Sequence, residues 1–380
     1  MIILGISDSV ESHACLIKDG VLIAAHAEER FSRIKSDAGY PCLSIKKILE
    51  YTGISPNQID FVALAGYYNG LFQALTKPAA LFSISDWIEQ NEVYWKPKLI
   101  DKKPLNELDD FLHWENRIPG VKTDPYYPFV EEAKKSSPEL YLDIFNKYRK
   151  RTIANQLDID EKRIVTFRHE QCHQYYGYYS QQQKKQNTLI LTLEGGGDDS
   201  SATISQSING LISEKYKTNQ AMLGRIYRYI TLLLGMKPGQ HEYKVMGLAP
   251  YGQECYGEKS LNHFNKYNKL NGTKINKTDI FKDVYFSSRE ELHGERFDGI
   301  AWGLQKFTEE FIGEWVKNNI KEFKLSNIIF SGGVAQNIKA LKCLVDLPEV
   351  SSVWSGPASG DGSLAIGAAW IATSKFDKNN

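Results

Sequence analysis

Two histidines four residues apart, in the stretch His169-Glu170-Gln171-Cys172-His173, carry the sharpest chemical signal in the chain. They follow a strand-like run at residues 163–167 and open a segment, to about Tyr179, that reads as helix, where positions i and i+4 share one face. Imidazole suits iron, zinc, copper and nickel, so the pair can hold one metal, although the same spacing also decorates plain helix surfaces. The candidate for a third ligand is Asp361 in Gly360-Asp361-Gly362-Ser363, a glycine-flanked carboxylate in a loop ahead of a helix. Two histidines and one carboxylate leave open positions on the metal, as ions that take part in chemistry require. Cys172 points to another face of the helix and is read as packing.

A chain of 380 residues exceeds one compact core and predicts two lobes. Residues 2–6, 14–17 and 21–27 read as three antiparallel strands, followed by a helix over 41–51 and a buried strand over 60–65. The three-strand meander recurs at 188–193, 202–206 and 211–216, with the turn Gly195-Gly196-Gly197-Asp198-Asp199 after its first strand. Two such units predict an α/β, actin-like ATPase architecture, duplicated in two lobes that hold a nucleotide. The boundaries expected are 1–183 for the first lobe, with a helical insertion at 67–160, and 184–380 for the second. The insertion is rich in aromatics, among them Tyr67, Trp87, Trp95 and Trp114, which fits either an acceptor pocket or a subdomain with its own core.

In the second lobe a helix over 222–234 precedes His241 to Gly252, and Asp298 is positioned to cap a long helix to about Phe323. A strand at 327–330 runs into Ser331-Gly332-Gly333-Val334-Ala335-Gln336-Asn337 and a further helix, the arrangement that aims backbone amides at a nucleotide. Gly332, Gly333, Asn337 and Gly360 are therefore candidate nucleotide contacts, joined by Glu194, Gly195 and Gly196 of the other turn. Equal numbers of basic and acidic residues, 46 each, argue against nucleic acid or an anionic membrane as the main partner. No apolar run reaches a membrane span and the amino terminus lacks a signal peptide's features, so the expectation is a cytoplasmic protein. Five scattered cysteines read as reduced thiols.

Taken together, the stretches Glu28 to Lys35, His169 with His173, Glu242 to Gly252, Ser331 to Asn337 and Gly360 to Gly362 resemble the O-carbamoyltransferases of nodulation and antibiotic tailoring. That resemblance implies a domain like the one that transfers threonylcarbamoyl to tRNA. It implies a metal on His169, His173 and Asp361, usually iron, Fe(II), with zinc as the alternative. It also implies carbamoyl adenylate, made from ATP and carbamoyl phosphate, as donor to a hydroxyl of a small-molecule acceptor in natural product biosynthesis. Members continue into a domain resembling threonylcarbamoyl adenylate synthase, whereas this chain ends at Asn380, so activation is expected from a separate domain or protein. Val10-Glu11 stands where the family carries histidine-aspartate, which leaves Glu11 or His13 to accept the hydroxyl proton; Lys244 would neutralise phosphate. The rival readings are a non-catalytic nucleotide-binding partner subunit of a carbamoylation complex, and a small-molecule kinase, which has no use for the histidine pair.

Overall fold

The computed structural model describes residues 1–68, 70–185, 187–278 and 283–377. Strands β1 (Ile2–Ser7), β2 (His13–Lys18), β3 (Val21–Ala27), β4 (Phe61–Ala65) and β5 (Ile164–Phe167) form one sheet in the order β3-β2-β1-β4-β5. Strands β6 (Asn187–Leu193), β7 (Ala202–Ile208), β8 (Leu211–Thr218), β9 (Asn268–Asn271), β10 (Lys274–Lys277), β11 (Asn327–Ser331) and β12 (Ser352–Trp354) follow. Of these, β8-β7-β6-β11-β12 form a second five-stranded sheet, and β9 and β10 pair as a ribbon. Read from the meander outward, the two large sheets have one strand order: two antiparallel neighbours on one side of the first strand and two parallel strands on the other. Parallel pairing needs a crossover, and helices supply it in both sheets. This is the duplicated actin-like ATPase architecture.

The first sheet's crossovers are α1 (Cys42–Thr52) and the helical insertion ending in α2 (Tyr141–Leu157); α3 (His169–Tyr179) follows its last strand, β5. The second sheet is served by α4 (Leu223–Leu233), α5 (Glu242–Leu248), α6 (Phe297–Phe323) and α7 (Ile338–Val345). The last helix, α8 (Leu364–Phe376), has nine buried residues and packs on the first sheet, not the second. Helix α6 starts at Phe297 with Arg296 as its cap residue, and Asp298, expected as the cap, sits inside the first turn paired to Arg296.

By contacts the chain forms two compact units, one of residues 1–82, 103–176 and 361–380, the other of 83–102 and 177–360. This differs from a single cut at 183/184 in three places, the smallest being residues 177–183, which belong to the second unit. The carboxyl-terminal helix belongs with the first sheet because its apolar residues complete that sheet's core with Ile3, Cys15, Ala63 and Phe167. Residues 83–102, from within the insertion, belong with the second unit, where Glu92 pairs with Arg289 and Lys96 lies over Phe286. The rest of the insertion has its own aromatic core: Phe72 packs on Phe111, Phe129 and Tyr141, and Phe82 on Trp114. No helix among the described residues is long and apolar enough to cross a membrane.

Candidate metal centre and nucleotide loops

In the first unit, α3 begins two residues after β5, which fixes the direction in which its first turn points. His169 and His173 are both buried, and their Nε2 atoms lie 3.1 Å apart. Asp361 Oδ1 is 3.5 Å from each of them. Metal bonds of about 2.1 Å, set between a right angle and a tetrahedral angle, place ligand atoms about 3.0–3.4 Å apart. The three atoms therefore form one face of a coordination polyhedron, and the donor set fits a first-row metal with open positions.

Two features bring Asp361 to the histidines. A Cβ on Gly367 of α8 would overlap the backbone carbonyl of Cys172, so the absence of a side chain there lets α8 lie against α3. His13, at the start of β2, holds the first turn of α8: the Ala365 amide donates to His13 Nε2 (3.0 Å), which requires the proton on Nδ1, and Nδ1 donates to the Glu11 carbonyl (2.8 Å). Burial pulls the His13 imidazole down to about 4, against which the bond to Glu11 and the Asp361 charge are smaller opposing effects. His13 is thus placed as a neutral clamp with both ring nitrogens engaged. Glu11 has a left-handed backbone (φ 59°), and its carboxylate approaches the Gly362 position, next to Asp361.

Sequence reasoning missed the group behind this turn. Asp8, in the same β1–β2 connection, is fully buried and held by Arg149 of α2 through Nη2–Oδ1 (2.6 Å) and Nε–Oδ2 (2.8 Å), while the Tyr126 hydroxyl donates to Oδ2 (2.7 Å). Arg149 also donates to the carbonyls of Ala65 and Gly66, at the end of β4. The Glu28 to Lys35 motif is likewise structural. Glu28 accepts from the amides of Leu43 and Ser44, capping α1, and Glu29 accepts from the Ser36 amide.

In the second unit the structure brings Glu194, Gly332 and Gly333 together. Glu194 Oε1 accepts from the Gly333 amide (2.6 Å), and a Cβ on Gly332, whose φ is +96°, would meet that oxygen at 2.5 Å. Gly333–Gln336 is a short 3-10 turn, so the glycine pair does not open the helix directly. Asn337 caps α7 instead: its Oδ1 accepts from Ala340, and its amide is bonded to Gln305. In this structure the side chain is committed to the cap and to Gln305. Gly360 is packed against Gln336. Lys244 is exposed on α5.

A cavity of about 150 Å³ lies beside these loops, lined by Met246, Ala249 and Pro250 after α5, by Trp302, Gln305, Lys306 and Glu309 of α6, and by Lys339 of α7. An engineered cavity of about that volume holds a benzene-sized ring. Met246, Ala249 and Pro250 fall within the Glu242 to Gly252 stretch noted in the sequence, whereas the lining side chains of α6 and α7 had not been singled out. On α6, Trp302, Lys306 and Glu309 do recur at helical spacing, and a tryptophan on a helix's polar side was the available signal.

The family model described as Carbamoyltransferase N-terminus matches residues 2–370. A Synechocystis protein of uncharacterized function is 28% identical over 99% of this chain and 58% of its own length. Nodulation protein NolNO of Sinorhizobium fredii is 23% identical over 96% of this chain and 46% of its own. The chain thus spans about half the length of the curated relatives it matches. Among solved structures, component A of the (R)-2-hydroxyglutaryl-CoA dehydratase of Acidaminococcus fermentans aligns over all of both chains with a TM-score of 0.47 and 15% identity. A Streptomyces griseus glucokinase solved with glucose and AMPPNP covers 98% of this chain and 100% of its own with a TM-score of 0.42 and 11% identity. With a family model matched from the second residue to the middle of α8, the chain belongs to the carbamoyltransferase N-terminus family.

Proposed function

We propose that this chain transfers a carbamoyl group from carbamoyl adenylate to a hydroxyl of a small-molecule acceptor, with ATP and carbamoyl phosphate converted to the adenylate by a separate domain or protein. The acceptor oxygen attacks the carbamoyl carbon, the bond from that carbon to the phosphate oxygen breaks, and AMP leaves with the electron pair. The observation that carries the reading is the convergence of His169 Nε2, His173 Nε2 and Asp361 Oδ1. Fe(II), or zinc in its place, would be held by these three atoms and when bound supplies Lewis acidity toward a developing oxyanion. Glu11, whose carboxylate approaches the loop carrying Asp361, takes the acceptor's proton, while His13 keeps that loop in position. In the second unit the cavity between Trp302, Lys306, Glu309 and Lys339 takes the adenine base, and the glycine turn at Gly195-Gly196 binds its phosphate.

One observation favours the second reading, a nucleotide-binding partner subunit: Val10 stands at the expected base position, and neither nitrogen of His13 is available to replace it. The deciding experiment incubates the Fe(II)-loaded protein with synthetic carbamoyl adenylate and a panel of hydroxyl compounds. Acceptor-dependent AMP release that disappears in His169→Ala supports transfer. Tight adenylate binding with no acceptor-dependent release, under iron and under zinc, sinks transfer and leaves the partner reading.

A further inference from the structure

Gly195, Gly196 and Gly197 present backbone without side chains, and the first turn of α4 is pressed onto them. A Cβ on Gly224 would lie 2.5 Å from the Gly195 amide nitrogen, so the approach of α4 to this loop depends on Gly224. That approach delivers two guanidinium groups to the loop. Arg225 donates Nε–H to the Gly195 carbonyl (2.9 Å), and its Nη2 would be 3.5 Å from a Cβ on Gly196. Arg228, one turn further along α4, has its Nη2 3.9 Å from where a Gly195 Cβ would be.

The charge around this pair is unbalanced. Both arginines are exposed, and neither makes an ion pair with a carboxylate among the described residues. Of the acids in this loop, Glu194 accepts from the Gly333 amide and Asp199 pairs with Lys217, and Asp198 follows Gly197 directly. Two like charges at i and i+3 on a helix repel each other, a repulsion that a bound anion would offset. Arginine forks match the geometry of phosphate oxygens, and a glycine face lets a tetrahedral oxyanion come within reach of both forks.

We propose that Arg225 and Arg228, with the Gly195–Gly197 backbone, form a phosphoryl-binding subsite of the second unit. It takes the phosphate of a bound nucleotide or the phosphate of a separate phosphorylated compound, the two sharing the same dianion chemistry. Assigning it to the nucleotide rests on the function proposed above, whereas the anion subsite itself does not.

The test is calorimetry on the full chain with adenosine, AMP, ATP and inorganic pyrophosphate, comparing wild type with Arg225→Gln, Arg228→Gln and the double variant. Circular dichroism confirms the fold of each. The expected result is a loss of about tenfold in AMP and ATP affinity in each single variant and more in the double variant, with adenosine unchanged. Pyrophosphate binding that depends on the arginines, in a protein that binds no nucleotide, upholds the subsite while removing the nucleotide assignment. The proposal is overturned if every phosphate-bearing probe binds the double variant as it binds wild type, or if none of them binds wild type.

Discussion

The β1–β2 connection and the β6–β7 connection occupy the same place in two sheets of one strand order, yet they are filled in opposite ways. In the first, the acid Asp8 is fully buried and neutralised from behind by Arg149, so the charge is sealed inside the protein. In the second, the acid Glu194 is satisfied by a backbone amide, and the arginines stand outside, on exposed glycine backbone. Duplication supplied the frame twice; what each turn can do follows from where its counter-charge sits. The first connection is a rigid mount for the loop that carries Asp361, and the second presents positive charge to solvent.

The largest effect that would break this comparison comes from Arg149→Met. It leaves the Asp8 carboxylate buried without its partner, for which about 3–5 kcal/mol of destabilisation is expected in urea unfolding. Glu194→Gln keeps an oxygen for the Gly333 amide and should cost under about 1 kcal/mol. Equal losses from the two variants would show that the turns are not differently loaded.

A pH profile sharpens the contrast next. The folded His13 imidazole sits at about 4 against an ordinary 6.5, so the unfolded chain binds a proton there over a range in which the native protein does not. Stability from this group is therefore complete above about pH 6.5 and is lost as pH falls toward 4, for a total of about 3 kcal/mol. His263 in the second unit, buried against Ser288, is likewise pulled to about 4 and adds to the same slope. Urea unfolding between pH 4 and 7.5 should give a shallower profile in His13→Gln than in wild type. An unchanged slope would remove the buried clamp from the account of the first unit.

Gly367→Ala tests the mount directly. The added methyl would overlap the Cys172 carbonyl, so α8 must back away from α3, at a cost of about 1–3 kcal/mol. Asp361 moves with α8, and elemental analysis after loading with iron or zinc should show metal content falling well below wild type. Full metal occupancy would mean that the histidines and Asp361 do not depend on that helix contact.

Much of this frame was legible in the residues. Strand periodicity placed both meanders, and α3 begins and ends where its sequence pattern does. His169, His173 and Asp361 could be grouped because a helix spacing and a glycine-flanked acid are local signals. Arg149 was not legible: it meets Asp8 across 141 positions, and an arginine in a helix otherwise reads as a solvated face. The same default hid Arg225 and Arg228, since only the Gly224–Gly195 approach shows what they lie on. The return of α8 to the first sheet leaves no mark in chain order; its apolar run indicates burial but not against which sheet.

The smallest effect concerns Asn337, where two roles can be separated. Its Oδ1 accepts from the Ala340 amide and so satisfies one of the donors left open at the start of α7, while its amide nitrogen donates to Gln305. Asn337→Ala removes both and should cost about 1 kcal/mol in urea unfolding. Asn337→Ser keeps a capping oxygen and loses only the amide, so it should recover most of that loss. If the residue is a cap, AMP affinity measured by calorimetry stays at the wild-type value in the serine variant, because no nucleotide contact has been removed. If AMP affinity falls in Asn337→Ser while stability is kept, the amide reaches the nucleotide, and the Gly332–Asn337 turn then recognises its ligand through a side chain as well as through its backbone.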